Sequence, residues 1–105
     1  MADNGGLKVS FFAYRKEVGE FGGKQKSKMM PNLTNDQLFF FSFAQSWCFK
    51  GTDEYERFWV ENNSHSYPPF RVEGSLSNFN EFANAFGCKA TDRYSRPEEE
   101  RCDNW

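Results

Sequence analysis

The sequence predicts a mainly helical chain, and three observations carry that prediction. From Gly6 the apolar residues Leu7, Phe11, Tyr14, Val18 and Phe21 fall at alternating steps of four and three, one face of an amphipathic helix ended by Gly22-Gly23. Thr34, with Gln37 three residues later, makes a capping box ahead of LFFFSFAQSWCF. Phe79, Phe82, Ala83 and Phe86 hold helical spacing up to Gly87.

Between these elements the chain reads in order. Lys24 to Asn32 is a charged loop closed by Pro31, in which Lys24-Gln25-Lys26-Ser27-Lys28 is solvated. In the helix opened by Thr34, Asp36 sits in the first turn, where the positive end of the helix favours a carboxylate. Its many aromatics would suit a strand, but the cap and the length favour a helix buried almost all round. Gly51-Thr52 breaks that helix, and Thr52 or Asp53 can cap a short one carrying Tyr55, Phe58 and Trp59. Asn62 to Pro69 reads as loop, because Pro68 and Pro69 remove two backbone donors and hold Tyr67 extended. After Phe70 to Gly74, a start signal at Ser77-Asn78, with Glu81 three beyond Asn78, opens the last helix. The tail TDRYSRPEEERCDNW is polar and irregular, and the chain has neither repeats nor a low-complexity tract.

Composition bounds the function. The chain has 105 residues, 13 Phe and no Ile, and Leu, Val and Phe together make only a fifth of it, the edge of what a self-sufficient core needs. A net charge of −2 is too small to drive disorder by repulsion, so the chain reads as one piece that packs against something else. A pI near 5.4 gives no basic field for nucleic acid. No apolar run is long enough for a membrane span, and MADNGGLKVSFF lacks a signal-peptide pattern. Two sequons, at Asn32 and Asn62, lean toward secretion. Cys48, Cys88 and Cys102 are an odd number at spacings that fit neither a zinc knuckle nor a redox pair, so at least one is free or bonded outside the chain. The only histidine, His65, stands in SHSYPPFR with no second ligand at metal spacing and by itself reads as an ordinary loop side chain.

Five stretches in order carry a resemblance: ADNGGL, TNDQLFFFSFAQSWC, Glu54-Tyr55 ahead of His65, FRVEGSLSNFNEFANAFGC, and a closing Cys102-x-x-Trp105. Together they resemble the C-terminal end of the neprilysin and endothelin-converting enzyme family of zinc metallopeptidases, over essentially all 105 residues, the Lys24 to Met30 loop being least typical. The resemblance implies the C-terminal helical part of a thermolysin-like (zincin) catalytic domain, residues 1–105, incomplete on its own. In that family two histidines of an HExxH helix and the Glu of an ExxxD motif hold zinc. Ala2-Asp3-Asn4-Gly5-Gly6 matches the end of the second motif, which implies that Asp3 accepts a hydrogen bond from a zinc-bound imidazole. HExxH is absent, so zinc belongs to the intact parent and the chain itself has no zinc ligand.

His65 matches the family histidine that donates to the oxyanion of the tetrahedral intermediate. Arg71 matches the arginine that grips a backbone carbonyl of the substrate, and Trp47 and Ser46 match positions lining the pocket for the side chain after the scissile bond. The resemblance also implies that Cys48, Cys88 and Cys102 bond to cysteines upstream, not to one another. Two positions depart from the family: neutral Asn63 stands where Asp is usual, and Tyr67 where Pro is usual. The implied parent is a secreted or outer-membrane-face endopeptidase acting on small extracellular peptides, with this chain inactive alone. Its partners are the upstream portion of the same ectodomain and peptide substrates, without nucleic acid. The rival is a standalone, non-enzymatic secreted binding or decoy module; an in-frame HExxH upstream of Met1 would favour the enzyme, a signal peptide directly before Ala2 the module.

Overall fold

A computed structural model describes residues 2–102. They form five α-helices, α1 (Ala2–Lys24), α2 (Asn35–Gln45), α3 (Asp53–Asn62), α4 (Pro68–Ser77) and α5 (Asn80–Phe86), with a short 3-10 turn at Glu98–Glu100. Among the described residues the only β pairing is an isolated antiparallel bridge between Lys26 and Thr34.

Two stacked phenyl rings centre the core. Phe11 of α1 and Phe40 of α2 are each 1% exposed and lie 5.2 Å apart with an interplanar angle of 18°. Phe39 and Phe79 meet Phe11 edge-on, and Phe82 meets Phe40 the same way, so α5 and the turn before it close over the pair. Leu7 and Leu76 complete the cluster and bring in α4. With rings in place of aliphatic chains, the core relies on edge-to-face geometry as well as buried area. Helix α3 buries none of its residues and instead joins a second ring cluster of Phe49, Tyr55, Trp59 and Tyr67. A Cα radius of gyration of 15.1 Å, against about 13 Å for a globular domain of this length, reflects this open arrangement.

The element boundaries differ from the sequence expectations for local reasons. Helix α1 starts at Ala2 rather than Gly6, and Gly19, at φ 70° and ψ 166°, breaks its regular turn. The apolar stripe is buried only at its start: Leu7 and Phe11 are buried, Val18 is already exposed ahead of the break, and Phe21 is exposed beyond it. Helix α2 has the full Thr34–Gln37 capping box, yet it is covered on one side only, with Phe41 half exposed. Thr52, not Asp53, caps α3 through a bond from the Tyr55 N–H. Pro68 and Pro69 open α4 instead of prolonging a loop, because the first helical positions have no intrahelical partner for an N–H. Asn78, expected to start the last helix, closes α4, and α5 begins at Asn80 and ends at Gly87 in the left-handed region. In the Lys24–Met30 segment the lysines are exposed, but Ser27 is buried and its Oγ accepts from the Met29 and Met30 N–H groups.

Asp36 does more than face a helix dipole. It is 4% exposed and takes a two-pronged ion pair from Arg15, Nε to Oδ1 at 2.9 Å and Nη2 to Oδ2, fastening α1 to the start of α2. The Tyr14 hydroxyl is buried beside it without a well-formed hydrogen bond, and burial first, then the Asp36 charge, push its pKa up to about 12. Gly23 makes room for this pair: a Cβ there would lie 2.8 Å from Arg15 Nε and overlap the Asp36 carboxylate. At Gly22 a Cβ would meet only Val18 Cβ at 3.4 Å. Gly23→Ala should therefore cost about 1–3 kcal/mol by overpacking, whereas Gly22→Ala should gain about 0.5 kcal/mol from the unfolded chain's lost freedom. Urea unfolding of the two variants separates these outcomes, and equal effects would show that Gly23 does not serve the ion pair.

Candidate functional site

One guanidinium gathers three of the residues singled out in the sequence. Arg71 lies in the first turn of α4, a placement set by the two prolines that start the helix. Its Nε donates to Asp3 Oδ2 at 2.7 Å and its Nη2 to Asp3 Oδ1 at 2.6 Å, a fork-to-fork pair joining α4 to the first turn of α1. The plane of Trp47, just beyond α2, lies against the same guanidinium, 3.9 Å from ring centroid to Cζ. Both charged side chains are largely screened from solvent, at 18% and 23% exposure. Arg71's hydrogen bonds hold the Asp3 carboxyl below its ordinary value of 3.8 against an opposing push from burial, and the charges of Arg71 and His65 add to the lowering. Arg71 is correspondingly raised, chiefly by its bonds to Asp3.

His65 stands beside this cluster on the exposed turn between α3 and α4. Its backbone N–H donates to Asn63 Oδ1 at 2.9 Å, which identifies the Asn63 atom as the oxygen. The same oxygen lies 3.2 Å from His65 Nδ1, with Ser64 Oγ at 3.4 Å. The amide oxygen only accepts while the Ser64 hydroxyl can donate or accept, so the ring tautomer decides which of the two contacts Nδ1 makes. The His65 carbonyl accepts from Trp59 Nε1 at 2.9 Å. Tyr67 is 8% exposed, donates to Glu56 Oε1 at 2.7 Å, and that bond pushes its phenol up to about 12, so it remains a donor at neutral pH.

Not every residue singled out joins the cluster. The Ser46 hydroxyl turns back to the Phe43 carbonyl at 2.6 Å, although Ser46 precedes Trp47 directly. Cys48 and Cys102 are exposed and Cys88 is half-buried, all three as free thiols. Asn32 is exposed in the turn after Pro31, and Asn62 is exposed at the last residue of α3, its Nδ2 donating to the Phe58 carbonyl at 2.8 Å. Trp105 of the closing Cys102-x-x-Trp105 lies outside the described residues.

The arrangement offers an exposed imidazole and, on the neighbouring helix, an oriented guanidinium. Arg71 has unused donors on Nη1, and the Asp3 oxygens each keep a second lone pair. The residues do not fit a metal ion by themselves: among the described residues no group of three His, Cys, Asp or Glu side chains is placed to hold one.

The sequence profile of Peptidase family M13 matches residues 1–102. The chain belongs to peptidase family M13. It is similar over its whole length to Neprilysin-3 of Drosophila melanogaster, at 43% identity, to human Endothelin-converting enzyme 1, at 41%, and to the Endothelin-converting enzyme homolog of Locusta migratoria, at 38%. It spans 13% of the length of the first two of these M13 relatives and 14% of the third. The all-helical architecture of the described residues is that of a helical part of an M13 peptidase domain, a zinc-dependent metallopeptidase family. No helix among the described residues is long and apolar enough to cross a membrane.

Two contacts at the site have no signature in the sequence. Trp59 reads as one apolar residue of α3, and Glu56 as one of its exposed acids, because their partners lie beyond a helix end whose geometry no periodicity reports. The Asp3–Arg71 pairing likewise spans a separation along the chain that no local pattern can encode. Because folding lowers the Asp3 pKa, its stabilising contribution is fully present above about 3.8 and is lost as pH falls through the lower folded value. Asp3→Asn should lower the unfolding midpoint at neutral pH and flatten this acid limb. Thermal unfolding from pH 7 to pH 2 checks it, an unchanged acid limb counting against a stabilising pair.

Proposed function

We propose that residues 1–105 are the C-terminal segment of the catalytic domain of a neprilysin-like zinc metalloendopeptidase, supplying the substrate-facing polar groups of its active site. The observation that carries this reading is the Asp3–Arg71–Trp47 cluster with His65 beside it, in a chain of the M13 family. Arg71, held by Asp3 and Trp47, aligns the substrate peptide through a backbone carbonyl. His65 donates a ring N–H to the oxyanion that develops on the scissile carbonyl. Asp3 orients Arg71 and keeps acceptor capacity for an imidazole of the remaining domain. Ser46 and Trp47 border the pocket for the residue after the scissile bond.

In this reading zinc and the general base come from parts of a longer protein. The chain alone is inactive in this reading, and the upstream ectodomain covers the apolar surface left open at Phe21, Phe58 and Phe70, which are 78%, 61% and 63% exposed. The substrates are small extracellular peptides, and the protein is secreted or displayed on the outer face of a membrane, in keeping with the sequons at Asn32 and Asn62. A second reading, a non-enzymatic peptide-binding module, draws support from the same cluster being assembled by these 105 residues alone. Peptide binding by the separate chain would favour it.

Kinetics of the longer protein test the proposal. His65→Ala should lower kcat by about 10²–10³ with little change in KM, the loss of one oxyanion donor. Arg71→Ala should mainly raise KM. Full turnover in His65→Ala would remove His65 from the chemistry.

A further inference from the structure

The turn that carries His65 is fastened to α3 by contacts separate from the Asp3–Arg71 pair. Trp59 Nε1 donates to the His65 carbonyl at 2.9 Å. Two residues beyond His65, the Tyr67 hydroxyl donates to Glu56 Oε1 at 2.7 Å. The Tyr67 ring packs edge-on against Phe49 at 5.9 Å and against Trp59 at 6.3 Å. Two residues before His65, the Asn63 N–H donates to the Trp59 carbonyl at 2.8 Å and closes α3. Trp59 thus grips the turn on both sides of the histidine.

The imidazole is exposed, and its hydrogen-bonding neighbours, Asn63 and Ser64, belong to the same turn. Among the described residues nothing outside the turn aims the ring directly by hydrogen bonding, so its direction follows the backbone. An exposed carbonyl could be satisfied by water at little net cost, about 1 kcal/mol for a typical bond. What the indole adds is a fixed position. A misplacement of 1 Å at a reacting centre can cost about a hundredfold in rate.

We propose that Trp59 and Tyr67 are positioning residues for His65, the indole N–H holding its carbonyl and the Glu56-bound phenol holding the turn behind it. The proposal rests on the reading of His65 as oxyanion donor. Glu56 serves by anchoring Tyr67, and α3, which buries no residue in the main core, acts as the rigid arm of the clamp. Tyr67 tethers the turn through its bond to Glu56.

The test is a double-mutant cycle on kcat and KM in the full-length protein that carries these residues. Trp59→Phe keeps an aromatic ring and removes the N–H; it should lower kcat about tenfold and leave KM unchanged, as expected for loosening one outer support. In a His65→Ala background the same change should cost nothing further. An equal loss in both backgrounds would make Trp59 merely structural, and an unchanged kcat would remove it altogether; both overturn the proposal. If Trp59→Phe fails to fold, Tyr67→Phe carries the same cycle. If His65→Ala itself keeps full turnover, the oxyanion reading fails first and the positioning role falls with it. Independently of turnover, NMR relaxation of the His65 imidazole in that protein, its signal assigned by its loss in His65→Ala, should show a lower order parameter in Trp59→Phe, and an unchanged one would contradict the clamp.

Discussion

A guanidinium held between a carboxylate and an indole ties the first turn of the chain to its fourth helix. Arg71 can serve as a fixed donor because one edge and one face of its plane are occupied: Asp3 takes two parallel hydrogen bonds along the edge and Trp47 covers the face. Such a fork loses its rotamer freedom on folding rather than on binding a ligand. The rest of the architecture makes that meeting possible. The Phe11–Phe40 stack sets α1 against α2, Leu76 brings α4 into the same core, and the two prolines start α4 close enough to His65 to put Arg71 in its first turn.

The scaffold is unusual in what it leaves uncovered. A core built from rings is compact where edges meet faces, yet among the described residues only Phe11 and Phe40 of the large side chains are fully enclosed. Phe21, Phe58 and Phe70 face outward from three different helices. That pattern agrees with a segment spanning 13% of its M13 relatives more readily than with a surface evolved to meet water.

Much of the fold was legible. The Thr34–Gln37 capping box is a local hydrogen-bond device and appears as read, and Gly87 ends α5 in the left-handed conformation that glycine favours. Misreadings came where two signals compete. Pro68-Pro69 looks like a breaker, but at the first helical positions proline costs no hydrogen bond; Ser77-Asn78 looks like a start, but the Asn78 amide and the Ser77 hydroxyl both return to the Gly74 carbonyl and finish the preceding helix. The stripe fails at Val18, which is exposed ahead of the break, and at Phe21, beyond the glycine whose positive φ interrupts its phase. At the site, residue types pointed to Asp3, His65 and Arg71 through family likeness, whereas the bonds from Trp59 and Glu56 depend on how a helix end meets a turn.

The central claim is that these residues are one side of an active site completed by the rest of a longer extracellular chain. The three free thiols, Cys48, Cys88 and Cys102, bear on it directly, because an odd set leaves at least one without a partner in this chain and the family resemblance implies outside partners for all three. Disulfide mapping by mass spectrometry of the full-length protein, purified with its thiols trapped, decides the matter. The account predicts that each of the three is bonded to a cysteine outside residues 1–105; a bond between any two of them would contradict it.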